Sequence, residues 1–419
     1  MSAALRMGPA MVRRVATAGV VSRVHQSVSR NSAMLPQKIS ALGGLRMSTI
    51  RSFSITSDFM NMQSPYSKED VQALKALKPA WQHAMIRVRD PKVSVEFYEK
   101  NFGCKLVNVY HFPNDKFSLY FLATVPKELE GNLPPIGSRE AHELTFNTRE
   151  GMGLIELTHN HGTEDETDLP LRDAAGRPQM FHDGNSEPRG FGHMAFNVND
   201  VYGAASKLEQ NGVPFKKRPD EGRMKGIAFC LDPDGYSIEL VPADQQYEPE
   251  RFTFSQTMIR VKDAEKSVAF YRDLFGMELV RESHYDKEKG DFSLFFLASP
   301  SPELEKLKEQ DPETVTKTSW DPCLELTWNH GTEGEPGPVY HNGNDTDFNG
   351  TFAPKGFGHT AFLVDDIDKF CDILEKLDVP FVKKPNGGAL KKIAFVKDPT
   401  GYWVEIVQRA IPGKILGVH

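Results

Sequence analysis

Ala84-Met-Ile-Arg-Val-Arg-Asp90 recurs later in the chain as Thr257-Met-Ile-Arg-Val-Lys-Asp263. The same order of motifs follows each copy, and it ends with Asp232-Pro-Asp-Gly-Tyr236 after the first and with Asp398-Pro-Thr-Gly-Tyr402 after the second. Similarity over such long segments indicates an internal duplication. The sequence therefore predicts two homologous halves. We assign them to residues 80–245 and 253–412.

Each half also repeats internally, through a fainter frame in which a His or Gln is followed by Val after five residues and by Asp after seven. The frame begins at His83, His193, Gln256 and His359. An amphipathic helical stretch follows each Asp, and strand-like runs follow the helix. The frame therefore predicts an α+β fold of four β-α-β-β-β units, two in each half.

The last predicted strand of every unit contains one Glu between apolar residues. These residues are Glu156, Glu239, Glu325 and Glu405. A single Glu in a strand usually faces solvent, and a single His near a strand is usually packed or exposed. Here every unit combines one His or Gln with one carboxylate, so two units together offer four ligands of the kind that divalent metals accept. The repeat therefore indicates a metal site for each pair of units.

Strand alternation brings further polar residues onto the faces of these ligands, because residues i, i+2 and i+4 of a strand share a face. The aligned residues are Arg87 and Arg260 in the first strands, and Asn160 and Asn329 in the last strands. An Arg and an Asn beside each ligand set suit a substrate that has a carboxylate. The arginines alone would also fit an exposed rim of salt bridges.

Residues 1–57 differ from the rest of the chain, since they contain eight basic residues and no Asp or Glu. This Arg-rich and Ser-rich composition is typical of an organellar transit peptide, and Arg51-Ser-Phe-Ser54 resembles a mitochondrial processing site. We therefore expect a mitochondrial protein with a disordered leader, followed by an N-terminal extension over residues 58–79. The alternatives are a disordered tail without a targeting role, a plastid transit peptide, or a cytosolic form that starts at Met47.

Composition limits the kinds of partner. The whole chain has a net charge of −7, and removal of the basic leader makes the remainder more negative. This charge argues against binding to nucleic acid or to an anionic membrane surface. No apolar stretch is long enough to cross a bilayer. We therefore expect a small-molecule substrate.

Three motifs resemble one family closely. They are Ile155-Glu-Leu-Thr-His-Asn-His-Gly-Thr-Glu164, Pro188-Arg-Gly-Phe-Gly-His193 and Asp232-Pro-Asp-Gly-Tyr-Ser-Ile-Glu239. From Lys78 to Gln408, the chain resembles glyoxalase I of the vicinal oxygen chelate superfamily. The resemblance implies two curved, mixed sheets and a lyase that converts the hemithioacetal of methylglyoxal and glutathione to S-D-lactoylglutathione. It also implies a monomer whose two halves pack on each other, because this chain contains both halves that other members bring together as a dimer.

In that family each metal site is shared between two halves, so the resemblance implies crossed sites. Site A would contain His83, Glu156, His359 and Glu405, and site B would contain His193, Glu239, Gln256 and Glu325. Among these catalytic carboxylates, Glu239 and Glu405 would move the proton, while Glu325 and Glu156 would serve the opposite face of the substrate. The implied cofactor is a divalent metal, Zn²⁺ first and Ni²⁺ as the alternative, with Ni²⁺ more typical of a site whose first ligand is His.

The co-substrate glutathione would be bound by basic and amide side chains. The implied residues are Arg87, Asn160 and Lys383 in site A, and Arg189, Lys217, Arg260 and Asn329 in site B. Site A departs from the family pattern at Lys355, because Arg is expected before Gly-Phe-Gly-His and Lys lacks its bidentate fork. His142 and Glu143 imitate a ligand strand, but only Glu156 is followed by the family motif.

Three other functions would fit part of this pattern. A different proton-transfer enzyme of the superfamily, such as methylmalonyl-CoA epimerase, would suit a mitochondrial address, but the tandem halves count against it. An extradiol-type iron dioxygenase would use two His and one carboxylate in each site. A metal-free protein that only binds metabolites would have no reason to keep four ligand pairs.

Overall fold

The computed structural model describes a defined part of the chain. The described residues are 59, 61–127, 129–147, 152–173, 176–243, 251–309, 312–319, 321–387 and 391–410. The predicted leader over residues 1–57 and the alternative start at Met47 lie outside them. Among the helices of the described residues, none has the length and apolar character needed to cross a membrane.

The elements follow the predicted order of four units. The N-terminal extension contains α1, Lys68–Ala76. Unit 1 contains β1 Ala80–Val88, α2 Pro91–Phe102, β2 Lys105–Phe112, β3 Phe117–Ala123, α3 Arg139–Phe146 and β4 Leu154–Asn160. A 3₁₀ turn, Thr163–Asp165, and a small hairpin, β5 Leu171–Arg172 and β6 Pro178–Gln179, lead to unit 2. Unit 2 contains β7 Phe191–Val198, α4 Val201–Gln210, β8 Phe215–Lys217, β9 Ala228–Leu231 and β10 Ser237–Pro242.

The second half repeats this order with one more helix. Unit 3 contains β11 Thr253–Val261, α5 Ala264–Ala269 with a π-helical turn at Phe270–Leu274, β12 Glu278–Tyr285, β13 Phe292–Ala298, α6 Pro302–Leu307, α7 Pro312–Thr318 and β14 Cys323–Asn329. A 3₁₀ turn, Thr332–Gly334, and a hairpin, β15 Asp347–Phe348 and β16 Thr351–Phe352, lead to unit 4. Unit 4 contains β17 Phe357–Val364, α8 Ile367–Lys376, β18 Phe381–Lys383, β19 Ile393–Lys397 and β20 Trp403–Gln408.

The Asp of the repeated frame begins the main helix of its unit. The four N-cap residues are Asp90, Asp200, Asp263 and Asp366, and each side chain accepts a hydrogen bond from a backbone N–H of the first helical turn. Such a cap satisfies a donor that the helix leaves unpaired, and it stabilises the helix by about 1 kcal/mol. The Val of the frame is buried in every unit. The frame therefore sets both the end of the first strand and the start of the helix.

The long strands form two mixed, eight-stranded sheets, and each sheet takes one unit from each half. Sheet 1 has the order β18-β19-β20-β17-β1-β4-β3-β2 and joins unit 4 to unit 1. Sheet 2 has the order β12-β13-β14-β11-β7-β10-β9-β8 and joins unit 3 to unit 2. Antiparallel pairing of β1 with β17, and of β11 with β7, makes the two junctions. The predicted α+β fold of four units in two mixed sheets is confirmed.

The two halves pass each other closely at the first Gly of each Gly-Phe-Gly-His motif. A Cβ atom on Gly190 would lie 1.9 Å from the carbonyl oxygen of His341, and one on Gly356 would lie 2.1 Å from that of His182. The backbone N–H of His341 also donates to the carbonyl of Arg189 over 2.8 Å. Only Gly permits so close an approach of two backbones. The motif therefore fixes the contact between the halves just before the His of β7 and β17.

Candidate metal and substrate sites

The middle of sheet 1 brings together the four residues of site A. His83 lies on β1, Glu156 on β4, His359 on β17 and Glu405 on β20, and all four side chains are buried. The Nε2 atom of His83 lies 3.1 Å from a carboxylate oxygen of Glu156 and 3.3 Å from one of Glu405. His359 lies 3.2 Å from Glu405 through its Nε2 atom. One donor atom from each residue lies within 4.8 Å of the others, which makes this cluster a candidate metal site.

The middle of sheet 2 brings together the four residues of site B in the same arrangement. His193 Nε2 lies 3.1 Å from a carboxylate oxygen of Glu239 and 3.4 Å from one of Glu325. Gln256 donates through Nε2 to Glu239 over 3.0 Å and to Glu325 over 2.7 Å. The amide therefore turns its nitrogen towards the carboxylates. A rotation of the amide group would turn its oxygen inwards, where it could serve as a ligand.

Both clusters concentrate negative charge in a buried place. Burial lowers the pKa of His83, but Glu156 and Glu405 outweigh this effect and raise the pKa to about 9. Burial likewise lowers the pKa of His193, and Glu239 and Glu325 raise it to about 9. Two buried carboxylates in each cluster therefore favour a positive charge between them, whether a proton on the imidazole or a metal ion that replaces it.

Neighbouring side chains orient the ligands of site A. His83 donates from Nδ1 to the Oε1 atom of Gln82 over 2.9 Å, which leaves Nε2 facing the carboxylates. Gln82 in turn donates to the carbonyl of Thr145. The hydroxyl of Thr158 donates to Glu156 over 2.8 Å. Hydrogen bonds of this kind fix the geometry of metal ligands. Gln82 is not predicted from the sequence patterns above, although its position next to His83 is a signal for it.

Among the described residues, the neighbour of Gln256 in site B does not orient it as Gln82 orients His83 in site A. Ser255 precedes Gln256 as Gln82 precedes His83, and the Ser255 hydroxyl has no hydrogen-bond partner among the described residues. The hydroxyl of Thr327, at the position of Thr158, also lacks a partner there. The two clusters therefore share their ligand positions and differ in the groups that hold the ligands.

Arg87 and Arg260, which the strand pattern aligns with the clusters, donate hydrogen bonds to the opposite half of the chain. The guanidinium of Arg87 donates to the carbonyl of Gly356 over 3.0 Å and to the amide oxygen of Asn344 over 2.8 Å. Arg260 donates to the carbonyl of Gly190 over 3.2 Å and to Asn185 over 2.8 Å. Both arginines are partly buried. These contacts differ from the exposed rim of salt bridges that the sequence alone allowed.

The cavity at site B has a volume of about 590 Å³ and contains the whole set of proposed glutathione-binding residues. They are Arg189, Lys217, Arg260 and Asn329. Asn329 also donates to the hydroxyl of Tyr340 over 2.7 Å. Three further cations line this cavity and were missed by the sequence analysis: Lys216, Arg281 and Lys317. Lys216 adjoins the predicted Lys217, and that adjacency was a signal for it.

The cavity at site A is smaller, with a volume of about 250 Å³, and its described lining residues include six aromatic side chains and the cations Arg87, Lys391 and Lys392. The aromatic residues that line it are Tyr110, Phe112, Phe117, Phe146, Phe395 and Trp403. Of the proposed glutathione-binding residues, Arg87 lines this cavity, and the described lining residues do not include Asn160 or Lys383. Lys383 donates to the carbonyl of Ile393, and Lys355 is exposed. The structure therefore brings only part of the predicted site A set to the cavity.

His142 and Glu143, which resemble the sequence of a ligand strand, lie on helix α3 and not on a strand. Glu143 lies outside both clusters and is 3.5 Å from Arg139. His142 lines the site A cavity, and its Nδ1 atom is 2.8 Å from the hydroxyl of Tyr110. Burial lowers the pKa of His142, which favours the neutral imidazole. His142 thus belongs to the wall of site A rather than to its cluster of ligands.

Two buried His and carboxylate clusters, each completed by one unit of either half, define a tandem, metal-binding member of a superfamily built from repeated β-α-β-β-β units. The family model that matches the chain is the Glyoxalase/Bleomycin resistance protein/Dioxygenase superfamily, over residues 81–240 and 253–406.

Full-length relatives narrow this assignment. The chain is 41% identical over 333 residues to a lactoylglutathione lyase of Schizosaccharomyces pombe, a match that covers 78% of this chain and 95% of the relative. It is 39% identical over 342 residues to glyoxalase I of Saccharomyces cerevisiae, covering 78% and 92% respectively. The crystal structure of glyoxalase I from Zea mays is similar with a TM-score of 0.54 at 25% identity, covering 80% of this chain and 94% of that one. The chain belongs to the lactoylglutathione lyase, or glyoxalase I, family of carbon–sulfur lyases.

Proposed function

We propose that the chain isomerises the hemithioacetal of methylglyoxal and glutathione to S-D-lactoylglutathione, and that it does so at two sites. The observation that carries the proposal is the duplicated cluster: each sheet has two carboxylates and two nitrogen or amide groups at its centre, next to a cavity lined by an Arg at the same place of the repeat, Arg87 or Arg260. A protein that only sequesters metabolites does not need two such clusters. Methylglyoxal detoxification would be the biological outcome.

We propose as metal ligands the four residues of each cluster, with His83, Glu156, His359 and Glu405 in site A and His193, Glu239, Gln256 and Glu325 in site B. The distances within each cluster, and the mixture of nitrogen and oxygen donors, fit a divalent transition metal. Zn²⁺ is our first assignment, with Ni²⁺ as the alternative for site A, which has two imidazoles. A divalent cation held by these residues would supply positive charge that makes the carbon-bound proton of the substrate more acidic.

We assign the proton transfer to Glu405 in site A and to Glu239 in site B. The carboxylate accepts the proton from the carbon that bears sulfur and returns it to the neighbouring carbon. In site A the hydroxyl of Thr158 donates to Glu156 over 2.8 Å and orients that carboxylate. The assignment to Glu405 rests on its place in the strand that follows Asp398-Pro-Thr-Gly-Tyr402, the position that the family resemblance gives to the proton-transferring Glu. Glu156 and Glu325 would face the opposite side of the hemithioacetal.

Glutathione carries two carboxylates, and site B offers several cations to bind them. Arg189, Lys217 and Arg260 line its cavity together with the amide of Asn329. Arg260 is held by Asn185 and by backbone carbonyls of the other half, so its guanidinium is oriented before the substrate binds. We assign these four residues to glutathione binding. In site A we assign Arg87 to the same role, and we retain Asn160 and Lys383 as weaker candidates outside the cavity wall.

We further propose that the monomer is the active form. Each sheet joins a unit of one half to a unit of the other, so one chain completes both clusters without a second copy. The domain boundaries at 80–245 and 253–412 follow from the same repeat. From its composition, the leader over residues 1–57 is assigned as a mitochondrial transit peptide.

A direct assay tests the proposed function. Methylglyoxal and glutathione are mixed with the purified chain, and the thioester product is followed by its absorbance. We expect thioester formation that a strong chelator abolishes and that added Zn²⁺ restores. The matched control replaces Glu156, Glu239, Glu325 and Glu405 together by Gln, which removes all four carboxylates at nearly constant volume. Thioester formation that persists in the chelated enzyme or in this control contradicts the proposal.

A further inference from the structure

The cation Arg281 distinguishes site B from site A. It lies on β12, its guanidinium carbon is 5.1 Å from the ring centroid of Phe296, and it donates to the hydroxyl of Thr316 on α7 over 3.3 Å. Lys317, the next residue of α7, lines the same cavity. Neither cation belongs to the glutathione-binding set proposed above, so the cavity wall of site B includes cations beyond that set.

The register of sheet 2 locates this charge relative to the reacting centre. Arg281 pairs with Phe296 on β13, and Phe296 pairs with Glu325 on β14. The three side chains form one row across the sheet, and all three line the cavity. Neighbouring strands are about 4.8 Å apart, so the backbone of Arg281 lies about 10 Å from that of Glu325. A long Arg side chain spans much of that gap.

Lys217, which we assign to glutathione binding, lies on the other side of the site B cluster from Arg281. It belongs to β8, which is one edge strand of sheet 2, whereas Arg281 belongs to β12, which is the other edge strand. The ligand residues lie on the four strands between β13 and β9. A substrate whose glutathione part extends towards Lys217 has its aldehyde-derived group on the side of Arg281. Arg281 is therefore placed to contact that group.

At the position equivalent to that of Arg281, site A has an uncharged side chain that forms hydrogen bonds with its neighbours. Asn108 pairs with Phe121, which pairs with Glu156, so Asn108 holds the position of Arg281. Its amide oxygen accepts the N–H groups of Val109 and Gly137, each over 3.0 Å. Its nitrogen donates to the hydroxyl of Tyr110 over 2.8 Å. Both polar atoms of the Asn108 amide therefore form hydrogen bonds within the protein. The described residues offer no cation to the site A cavity at this position.

Resting on the proposed function, we propose that Arg281 is a specificity-determining residue, and that site B accepts hemithioacetals of 2-oxoaldehydes whose side group carries a carboxylate. The chemistry is the same isomerisation: a proton leaves C1 and returns to C2, the C1 hydroxyl becomes the thioester carbonyl, and the C2 carbonyl becomes a hydroxyl. Arg281, assisted by Lys317, binds the extra carboxylate by charge-assisted hydrogen bonds. The cations that line the cavity of site A are Arg87 on β1 and Lys391 and Lys392 just before β19, and none of them lies at the place of Arg281 on the β2 side. On that side the same carboxylate would be desolvated among aromatic residues, which is costly.

The test compares the two sites inside the full chain. Site B is isolated by Glu156→Gln with Glu405→Gln, and site A by Glu239→Gln with Glu325→Gln. Each protein is assayed with glutathione and either methylglyoxal or 4,5-dioxopentanoate, a 2-oxoaldehyde with a carboxylate on a two-methylene arm. We expect the ratio of kcat/KM for 4,5-dioxopentanoate to that for methylglyoxal to be about tenfold higher in isolated site B, as one charge-assisted hydrogen bond allows.

Substitution at Arg281 then tests the residue itself. In isolated site B, Arg281→Met should lower kcat/KM for 4,5-dioxopentanoate about tenfold more than for methylglyoxal, chiefly through KM, and Arg281→Lys should restore part of the loss. Raised salt should reduce the advantage of the carboxylate substrate in site B. Equal substrate ratios in the two sites overturn the inference, and so does an equal loss with both substrates in Arg281→Met. Absence of methylglyoxal turnover in both isolated sites is a different result, which contradicts the proposed function.

Discussion

Site A and site B have nearly the same reacting centre and very different walls. Each cluster has a His from the second unit of one half and two carboxylates. Each also has one imidazole whose pKa the carboxylates raise to about 9, namely His83 from unit 1 in site A and His193 from unit 2 in site B. By contrast, the described residues that line the cavity of site A, of about 250 Å³, include six aromatic residues and three cations, while those that line the cavity of site B, of about 590 Å³, include six cations. The two sites therefore share three of the four proposed ligand types and differ more strongly in the surfaces around them.

The walls differ because different elements supply them. Ligands come from the four central strands of each sheet, where a change would disturb both the core and the cluster. Wall residues come from the edge strand β2 or β12 and from helices α3 and α7, which lie between the last two strands of units 1 and 3. Helix α3 contributes His142 and Phe146 to site A, while α7 contributes Thr316 and Lys317 to site B. Peripheral elements tolerate such changes more readily than the centre of a sheet.

The largest expected effect separates the two sites by their catalytic carboxylates. Glu405→Gln should lower turnover of the methylglyoxal adduct in site A, and Glu239→Gln in site B, each by about 10²- to 10⁴-fold, because a general base is lost. Each single variant therefore keeps the activity of the other site, and the double variant loses both. Steady-state thioester formation measures this. Glu143→Gln, outside both clusters, is the matched control. If one substitution abolished all activity, the sites would not be independent.

A smaller effect on metal retention should follow from the difference between His83 in site A and Gln256 in site B. His83→Gln gives site A the ligand set of site B, and an amide oxygen binds transition metals more weakly than an imidazole nitrogen. Gln82 also loses the group that it orients. We expect retention of metal in the presence of a chelator to fall about tenfold or more in isolated site A.

The reciprocal variant sharpens this comparison. Gln256→His should increase retention in isolated site B, though less strongly, because Ser255 does not replace Gln82 as a hydrogen-bond acceptor. The metal remaining after chelator titration is determined by elemental analysis. Identical retention by wild-type sites A and B would argue that the first ligand does not control affinity.

The smallest expected effect concerns the motif that follows β9 in unit 2. Asp234 accepts the N–H of Arg89 over 3.0 Å, and burial together with Asp232 raises the pKa of Asp234 to about 8. In the other half Thr400 takes its place and accepts the N–H of Lys262 over 3.2 Å. The first half therefore contains a buried carboxyl that the second half lacks.

This difference predicts a pH-dependent stability. A pKa raised above the unfolded value means that the folded chain holds the proton more tightly, so the stabilising contribution of the protonated carboxyl is lost as pH rises towards 8. Asp234→Thr should remove this loss and keep the acceptor for Arg89. We expect the variant to lose less stability than the wild type between pH 6 and pH 8, by roughly 1–2 kcal/mol. Thermal unfolding at both values measures it, and an identical pH dependence in both proteins would contradict the expectation.

Much of the fold, and the grouping of the four residues that we propose as ligands in each site, could be predicted because the signals are local. The period of two in a strand links His83 to Arg87, and the Asp of each frame caps the helix that follows it, as Asp90 does for α2. Because the frame occurs four times, it can be distinguished from a chance arrangement of residues. The prediction for the cavity of site A was less complete, since Asn160 and Lys383 do not line it. Whether a side chain reaches a cavity depends on the curvature and packing of neighbouring strands, which no single segment encodes.

The sequence by itself determined the four units, their helix caps, the carboxylate in each last strand and the family resemblance, because each of these depends on residues a few positions apart. The family resemblance implied that units 1 and 4 share one site and units 2 and 3 the other, but only the tertiary structure showed that each pair is joined in one continuous sheet. The tertiary structure also decided that Arg281 and Asn108 occupy equivalent places beside their clusters. These features arise from pairing between strands far apart in the chain, and that pairing is selected by burial of the whole core rather than by any local pattern.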